Sequence, residues 1–126
     1  MSTTIVLTLR GESAERTVPG DPILLERLIA NLVHNAIKYN HPGGWVEVVV
    51  GDDPALSVRN SGRRVPAESV DSLFQPFRRL IADRTNHRDG AGLGLSVVHS
   101  IAAAHHGRVS AVPGEDGGLR VDVFLP

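Results

Sequence analysis

The chain has 126 residues, enough for one compact domain with one core, and its 41% apolar and 21% charged residues are ordinary for a soluble globular fold. A formal net charge of −1 gives no general attraction to nucleic acid or to an anionic membrane, and the absence of cysteine excludes disulfides, thiolate metal sites and a cysteine nucleophile. No apolar run approaches the roughly 20 residues that span a bilayer, and the N-terminus, MSTTIVLTLRGE, lacks the charged start and apolar block of a signal peptide, so the expectation is a soluble cytoplasmic domain, complete or part of something larger.

Residues 4–10 (TIVLTLR) alternate with period two and predict a strand. GDPILLERLIANLVHNAIKYNHPGG then predicts a long helix. Asp21 is placed to cap it and Pro22 takes the first helical position. Leu25, Leu28, Ile29, Leu32, Val33 and Ala36 form a broad apolar face, and residues 40–44 end the helix. WVEVVV (45–50) and ALSVRN (55–60) are strands joined by GDDP, which predicts a hairpin. Residues 65–77 hold a short helix started by proline. Residues 78–91 are polar and aperiodic, a loop of about the length at which loops in compact domains carry function. Residues 93–106 predict a second amphipathic helix that stops at Gly107, and RVSAVP (108–113) and LRVDVFLP (119–126) close a hairpin around GEDGG. Strands clustered in hairpins predict an α+β two-layer sandwich, a mixed sheet with helices on one face, in a single domain over residues 1–126.

Two stretches point to chemistry. The first is DGAGLGLSVV, in which Gly90, Gly92 and Gly94 lead into a helix. The phosphate-loop pattern with its Gly-Lys-Ser/Thr ending is absent, and the dinucleotide pattern fails because Leu95 stands where the third glycine belongs. What remains is a flexible turn at a helix N-terminus, where free N–H groups favour phosphate, or a helix start with glycines for close packing. The second is the first helix. At about 100° per residue, Arg27, Asn31, Asn35 and Lys38 share a stripe roughly 80° wide. Asparagine is a poor helix former, so two of them four residues apart need a reason. Their amide oxygens suit a hard cation such as Mg²⁺ that also bridges phosphates, and Lys38 is within reach of a phosphate. A solvated polar stripe is the alternative.

LLERLIANLVHNAIKYN (24–40) closely resembles the N box of the catalytic domain of histidine kinases, in the superfamily shared with gyrase, the MutL repair proteins and a heat-shock chaperone. Further matches follow in that family's order: VRNSGRRVP (58–66) at the G1 box, LFQPFRRL (73–80) at the F box and GAGLGLSVV (90–98) at the G2 box. AAAHHGRVSA (102–111) resembles the segment that follows. The resemblance covers nearly the whole chain. It implies the Bergerat fold, with ATP held between a helix layer and a mobile lid. It also implies Asn35 as the Mg²⁺ ligand, Asn31 beside the phosphates, Lys38 as a phosphate contact and Tyr39 against the adenine, unless that tyrosine is simply core. Relatives that hydrolyse ATP often have a water-activating Glu at the position of Asn31. An amide lacks that basicity, which favours delivery of the phosphoryl group to another nucleophile.

The same resemblance implies that Phe74 and Phe77 anchor the start of the lid, that Arg79 meets the γ-phosphate with Arg78, Arg84 and Arg88 as substitutes, and that Gly90, Gly92 and Gly94 hinge the lid and present N–H groups to the phosphates. Leu93 and Leu95 seat the helix that follows. The G1 box departs from the family's D-x-G-x-G. Asn60 replaces the Asp that accepts from the adenine amino group, and Arg64 replaces the second glycine. Asn60 keeps an acceptor oxygen without charge, so adenine preference is expected to survive with reduced affinity. Gly62 is retained for close backbone approach, and Arg64 is expected to reach the nucleotide or close over it.

None of the six histidines (His34, His41, His87, His99, His105 and His106) lies in the family's phosphoacceptor pattern, and His105 and His106 are placed to cap a helix. The chain is therefore expected to bind ATP and Mg²⁺ and to phosphorylate a histidine on a separate dimerisation domain, which serves a response regulator, without phosphorylating itself. An anti-sigma-factor serine kinase of the same superfamily and a nucleotide-binding docking module without kinase activity are the alternatives.

Overall fold

A computed structural model describes residues 6–11, 19–51, 53–74 and 93–126. In chain order the elements are β1 (Val6–Gly11), α1 (Pro22–Lys38), β2 (Trp45–Val50), β3 (Leu56–Asn60), two 3-10 turns (Ala67–Ser69 and Asp71–Phe74), α2 (Leu93–Ala104), β4 (Arg108–Pro113) and β5 (Leu119–Phe124). Among the described residues the sheet has five strands in the order β1-β2-β3-β5-β4. β1 runs parallel to β2, and every other pairing is antiparallel. This is the mixed sheet expected of an α+β sandwich.

The helices pack on one face of that sheet. Period-two alternation sends Val46, Val48, Leu56, Val58, Leu119, Val121 and Val123 inward, where they meet Leu28, Leu32 and Ala36 of α1 and Leu95, Val98, Ile101 and Ala102 of α2 in one apolar cluster. Burying each larger aliphatic side chain of this kind contributes about 1.5–3 kcal/mol. Ile29 belongs to the same angular sector of α1 yet is 46% exposed. Periodicity fixes the direction a side chain takes, whereas the position of its neighbours fixes whether anything covers it.

The outer face of the sheet is kept polar by paired charges. Arg59 and Arg120 stand directly opposite each other on β3 and β5, an arrangement that alone is repulsive. Each has a carboxylate of its own: Glu47 lies 3.6 Å from Arg59, and Asp122 lies 3.1 Å from Arg120. Asp122 is buried and also accepts from the Ser57 hydroxyl at 2.7 Å.

The helix ends follow local chemistry. Asp21 caps α1 by accepting the N–H groups of Ile23 at 2.9 Å and Leu24 at 3.3 Å, and Pro22 needs no acceptor at that position. α2 ends differently from the sequence expectation. His106, not a glycine, takes the left-handed position (φ 63°). Its N–H reaches Ala103 O at 3.1 Å and that of Gly107 reaches Ala102 O at 2.8 Å, the two bonds of a Schellman cap. Gly107 is required one residue later for another reason: a Cβ there would run into the Phe124 carbonyl of the last strand. The short helix expected over residues 65–77 is two 3-10 turns within the described part, ending at Phe74. The loop expected over 78–91 lies outside the described residues. No helix among the described residues is long and apolar enough to cross a membrane.

His105 joins the two helix ends. It is 9% exposed, its Nδ1 donates to Ile101 O at 2.8 Å, and its Nε2 accepts the Asp21 N–H at 3.0 Å. These partners call for the neutral ring with its proton on Nδ1, because a carbonyl only accepts and an amide N–H only donates. The ring thus pins the end of α2 to the N-cap of α1. Gly20 lets it approach, since a Cβ there would collide with the imidazole.

Candidate functional site

A cleft of about 670 Å³ opens where the C-terminal end of α1 faces the end of β3 and the start of β5, a size that suits a small-molecule ligand. Asn35, Lys38 and Tyr39 line it from α1, Asn60 from β3, Leu95 from α2 and Leu119 from β5. Segments distant in sequence thus converge as expected, with Asn35 and Lys38 one turn apart on the same helix face.

Asn60 is 7% exposed. Its Nδ2 donates to the Ser61 carbonyl at 2.6 Å, and that carbonyl can only accept. The amide is therefore oriented, and its Oδ1 is left as the acceptor. Gly62, two residues on, has φ 149°, and a Cβ there would meet the Tyr39 carbonyl at 2.7 Å. The strand end and the helix end touch backbone to backbone at this point, so only glycine fits.

Asn40 and Ser61, which sequence reasoning passed over, hold these two ends in register. The Asn40 side chain donates to Trp45 O at 2.9 Å and accepts from His41 N at 2.9 Å and from the Ser61 hydroxyl at 2.6 Å. Ser61 Oγ in turn accepts the Trp45 N–H at 2.8 Å. A Cβ on Gly44 would strike both Asn40 Oδ1 and Ser61 Oγ, so the turn before β2 is also fitted around this knot. Asn40 looked like a helix stop in the sequence. No local pattern joins it to a serine 21 residues away.

The remaining expectations divide in two. Asn31 is half-buried one turn before Asn35 and does not line the described cleft. Arg27, from the same stripe, borders a separate groove with Phe74 and His99. Leu95 is buried at 3%, and a Cβ built on Gly94 meets no described atom within 4 Å. Leu93 begins α2, and nothing is described of its side chain. Phe77, Arg78, Arg79, Arg84, Arg88, Gly90 and Gly92 lie outside the described residues.

The family model for histidine kinase-, DNA gyrase B- and HSP90-like ATPases matches residues 20–126. The chain belongs to this family. Within the ATPase family it is 50% identical over 122 residues to the sensor protein CutS of Streptomyces coelicolor, covering 94% of this chain and 30% of CutS. The chain therefore spans about a third of the length of that relative. Among solved structures, a mycobacterial sensor histidine kinase, MprB, is similar with a TM-score of 0.76 and 26% identity, over 97% of this chain and 81% of that one. Full-length ShkA, solved in complex with AMPPNP, is similar with a TM-score of 0.73 and 27% identity, over 95% of this chain and 25% of that one. The α+β architecture expected from the sequence is that of histidine-kinase catalytic domains, and the resemblance to the superfamily read from the four boxes is correct.

Proposed function

We propose that this chain, as one domain, binds ATP·Mg²⁺ in the cleft between α1 and the ends of β3 and β5 and passes the γ-phosphoryl group to a histidine on a dimerisation domain outside it. That domain would then serve a response regulator in the cytoplasm. The observation that carries the reading is the convergence of Asn35 and Lys38 with the oriented amide of Asn60 in one cleft. The 50% identity to CutS, named a sensor protein, favours a sensor kinase over a serine kinase, and the AMPPNP complex of ShkA supports a nucleotide as the ligand.

The donor set fits such a ligand. Asn35 offers a neutral oxygen, the hard donor that Mg²⁺ prefers. Among the described residues no group of three His, Asp or Glu side chains could hold a metal, so the ion would arrive with the phosphates that supply its other ligands. Bound ATP·Mg²⁺ supplies the phosphoryl group and a cation that offsets its charge. The protein's part is positioning and charge neutralisation, since phosphoryl transfer needs little covalent help. Asn60 Oδ1 accepts from the base amino group. Lys38 neutralises phosphate. Asn31, an amide, cannot take a proton from water at the position where ATP-hydrolysing relatives often carry a Glu, which favours the acceptor histidine as nucleophile. Arg79 and Gly90, Gly92, Leu93, Gly94 and Leu95 complete the enclosure from the lid side in this reading, and Tyr39 lies against the base.

Transfer of labelled γ-phosphate to a supplied histidine-bearing dimerisation domain tests the function, and acid lability of the product separates phosphohistidine from phosphoserine. Asn35→Ala is expected to abolish Mg²⁺-dependent nucleotide binding in a titration, with part retained in Asn35→Asp. Equal binding by wild type and Asn35→Ala would remove the metal role.

A further inference from the structure

The family pattern places a glycine where this chain has Arg64, and Arg63 precedes it. Both side chains are exposed, and both line the cleft. Their backbone is not a free loop. Arg64 forms a parallel β-bridge with Gly118, and Gly118 N donates to Arg63 O at 2.8 Å. The β4–β5 turn is seated there at backbone distance: a Cβ on Gly117 would strike the Gly62 carbonyl, and one on Gly118 would strike that of Asn60. Two guanidinium groups therefore leave a fixed ledge beside the residue that reads the base. Lys38 and His41 line the same cleft, and among the described residues that line it there is no Asp or Glu.

We propose that Arg63 and Arg64 form a cationic rim that selects polyanionic nucleotides, so that the ligand's phosphate charge supplies affinity that the uncharged Asn60 does not. The proposal rests on the nucleotide-binding reading above. The physical basis is long-range attraction in a cleft whose charged lining has one sign, which focuses the field toward the ligand. A unit charge about 8 Å from ATP·Mg²⁺, which carries about two net negative charges, shifts its affinity about twofold at physiological salt, so the pair is expected to contribute about fourfold there and on the order of tenfold at about 0.01 M salt, where the Debye length is about 30 Å. The ledge also lowers the entropic cost, because the backbone that carries the side chains is ordered before the ligand arrives.

The test compares wild type, the double variant Arg63→Gln/Arg64→Gln and the charge-keeping variant Arg63→Lys/Arg64→Lys by calorimetric titration with ATP·Mg²⁺ and with adenosine, at low and high salt. The Gln variant is expected to bind ATP·Mg²⁺ about tenfold more weakly at low salt, to show a shallower salt dependence than wild type, with the part due to Lys38 retained, and to bind adenosine unchanged. The Lys variant is expected to keep wild-type ATP affinity to within about threefold, because a point charge suffices for attraction at this range. Unchanged ATP affinity in the Gln variant would overturn the proposal. So would an equal loss for ATP and adenosine, which would mean contact with the base, or a Lys variant as weak as the Gln variant. Wild type that binds neither ligand would overturn the nucleotide reading and the rim with it. Wild type that binds ATP with full affinity retained in the Gln variant would overturn the rim alone.

Discussion

Replacing Asn40 with Ala removes the knot that joins the end of α1 to the β2–β3 hairpin. Three side-chain hydrogen bonds are lost, to Trp45 O, His41 N and Ser61 Oγ. At about 1 kcal/mol each the ceiling is about 3 kcal/mol. The structure lowers it. Trp45 O keeps the Ser61 N–H at 3.0 Å, and the Ser61 hydroxyl already lies 3.3 Å from Trp45 O, so neither is left without a partner. His41 is exposed, and its N–H can turn to water. The expected cost is therefore about 1–2 kcal/mol, a fall in Tm of about 4–8 °C for a domain of this size, read by scanning calorimetry. A double-mutant cycle with Ser61→Ala isolates the contact and should show non-additivity of about 0.5–1 kcal/mol. A loss below about 0.5 kcal/mol for Asn40→Ala, or additive losses in the cycle, would refute the claim that this pair sets the register of the cleft.

Two further predictions concern the helix ends. His106→Gly places glycine at a left-handed position and is expected to raise stability by about 0.5–1 kcal/mol in chemical denaturation, with unchanged m-value; a loss of stability would mean that the imidazole does more than occupy the turn. His105→Ala leaves the Asp21 N–H without its acceptor and opens space beside Gly20, for an expected cost of about 2–4 kcal/mol. Gly20→Ala should destabilise wild type and cost much less in the His105→Ala background, because the ring that its Cβ would strike is gone and only Leu25 Cδ1, at 3.2 Å, must shift. Equal costs in both backgrounds would disprove that packing.

Much of the lining of the candidate cleft was legible because part of it is local. Asn35 and Lys38 lie one turn apart on a single helix, so the helical period alone brings them to one face. Asp21 and Pro22 announced the helix start for the same reason, as a capping oxygen needs only the next three residues. The four boxes identified the family, and the family implied that Asn60 and Gly62 would join Asn35. The roles of Asn40 and Ser61, and the seating of the Gly117–Gly118 turn against the end of β3, were not legible, although the turn itself was. Their partners are far along the chain, and serine, asparagine and paired glycines are what any turn uses.

The sequence by itself determined the helix and strand periods, the cap of α1, the polar stripe bearing Asn35 and Lys38, and the family. Each depends on neighbours within a few residues or on motifs kept in order. Tertiary structure alone decided that Ile29 stays uncovered, that His105 ties one helix end to the other, that His106 rather than Gly107 turns the chain, and that Arg63 and Arg64 rest on the β4–β5 turn. The cause is common to all four: burial, close approach and hydrogen-bond partnership depend on which segments meet in space, and local pattern fixes the direction of a side chain without fixing what it will find there.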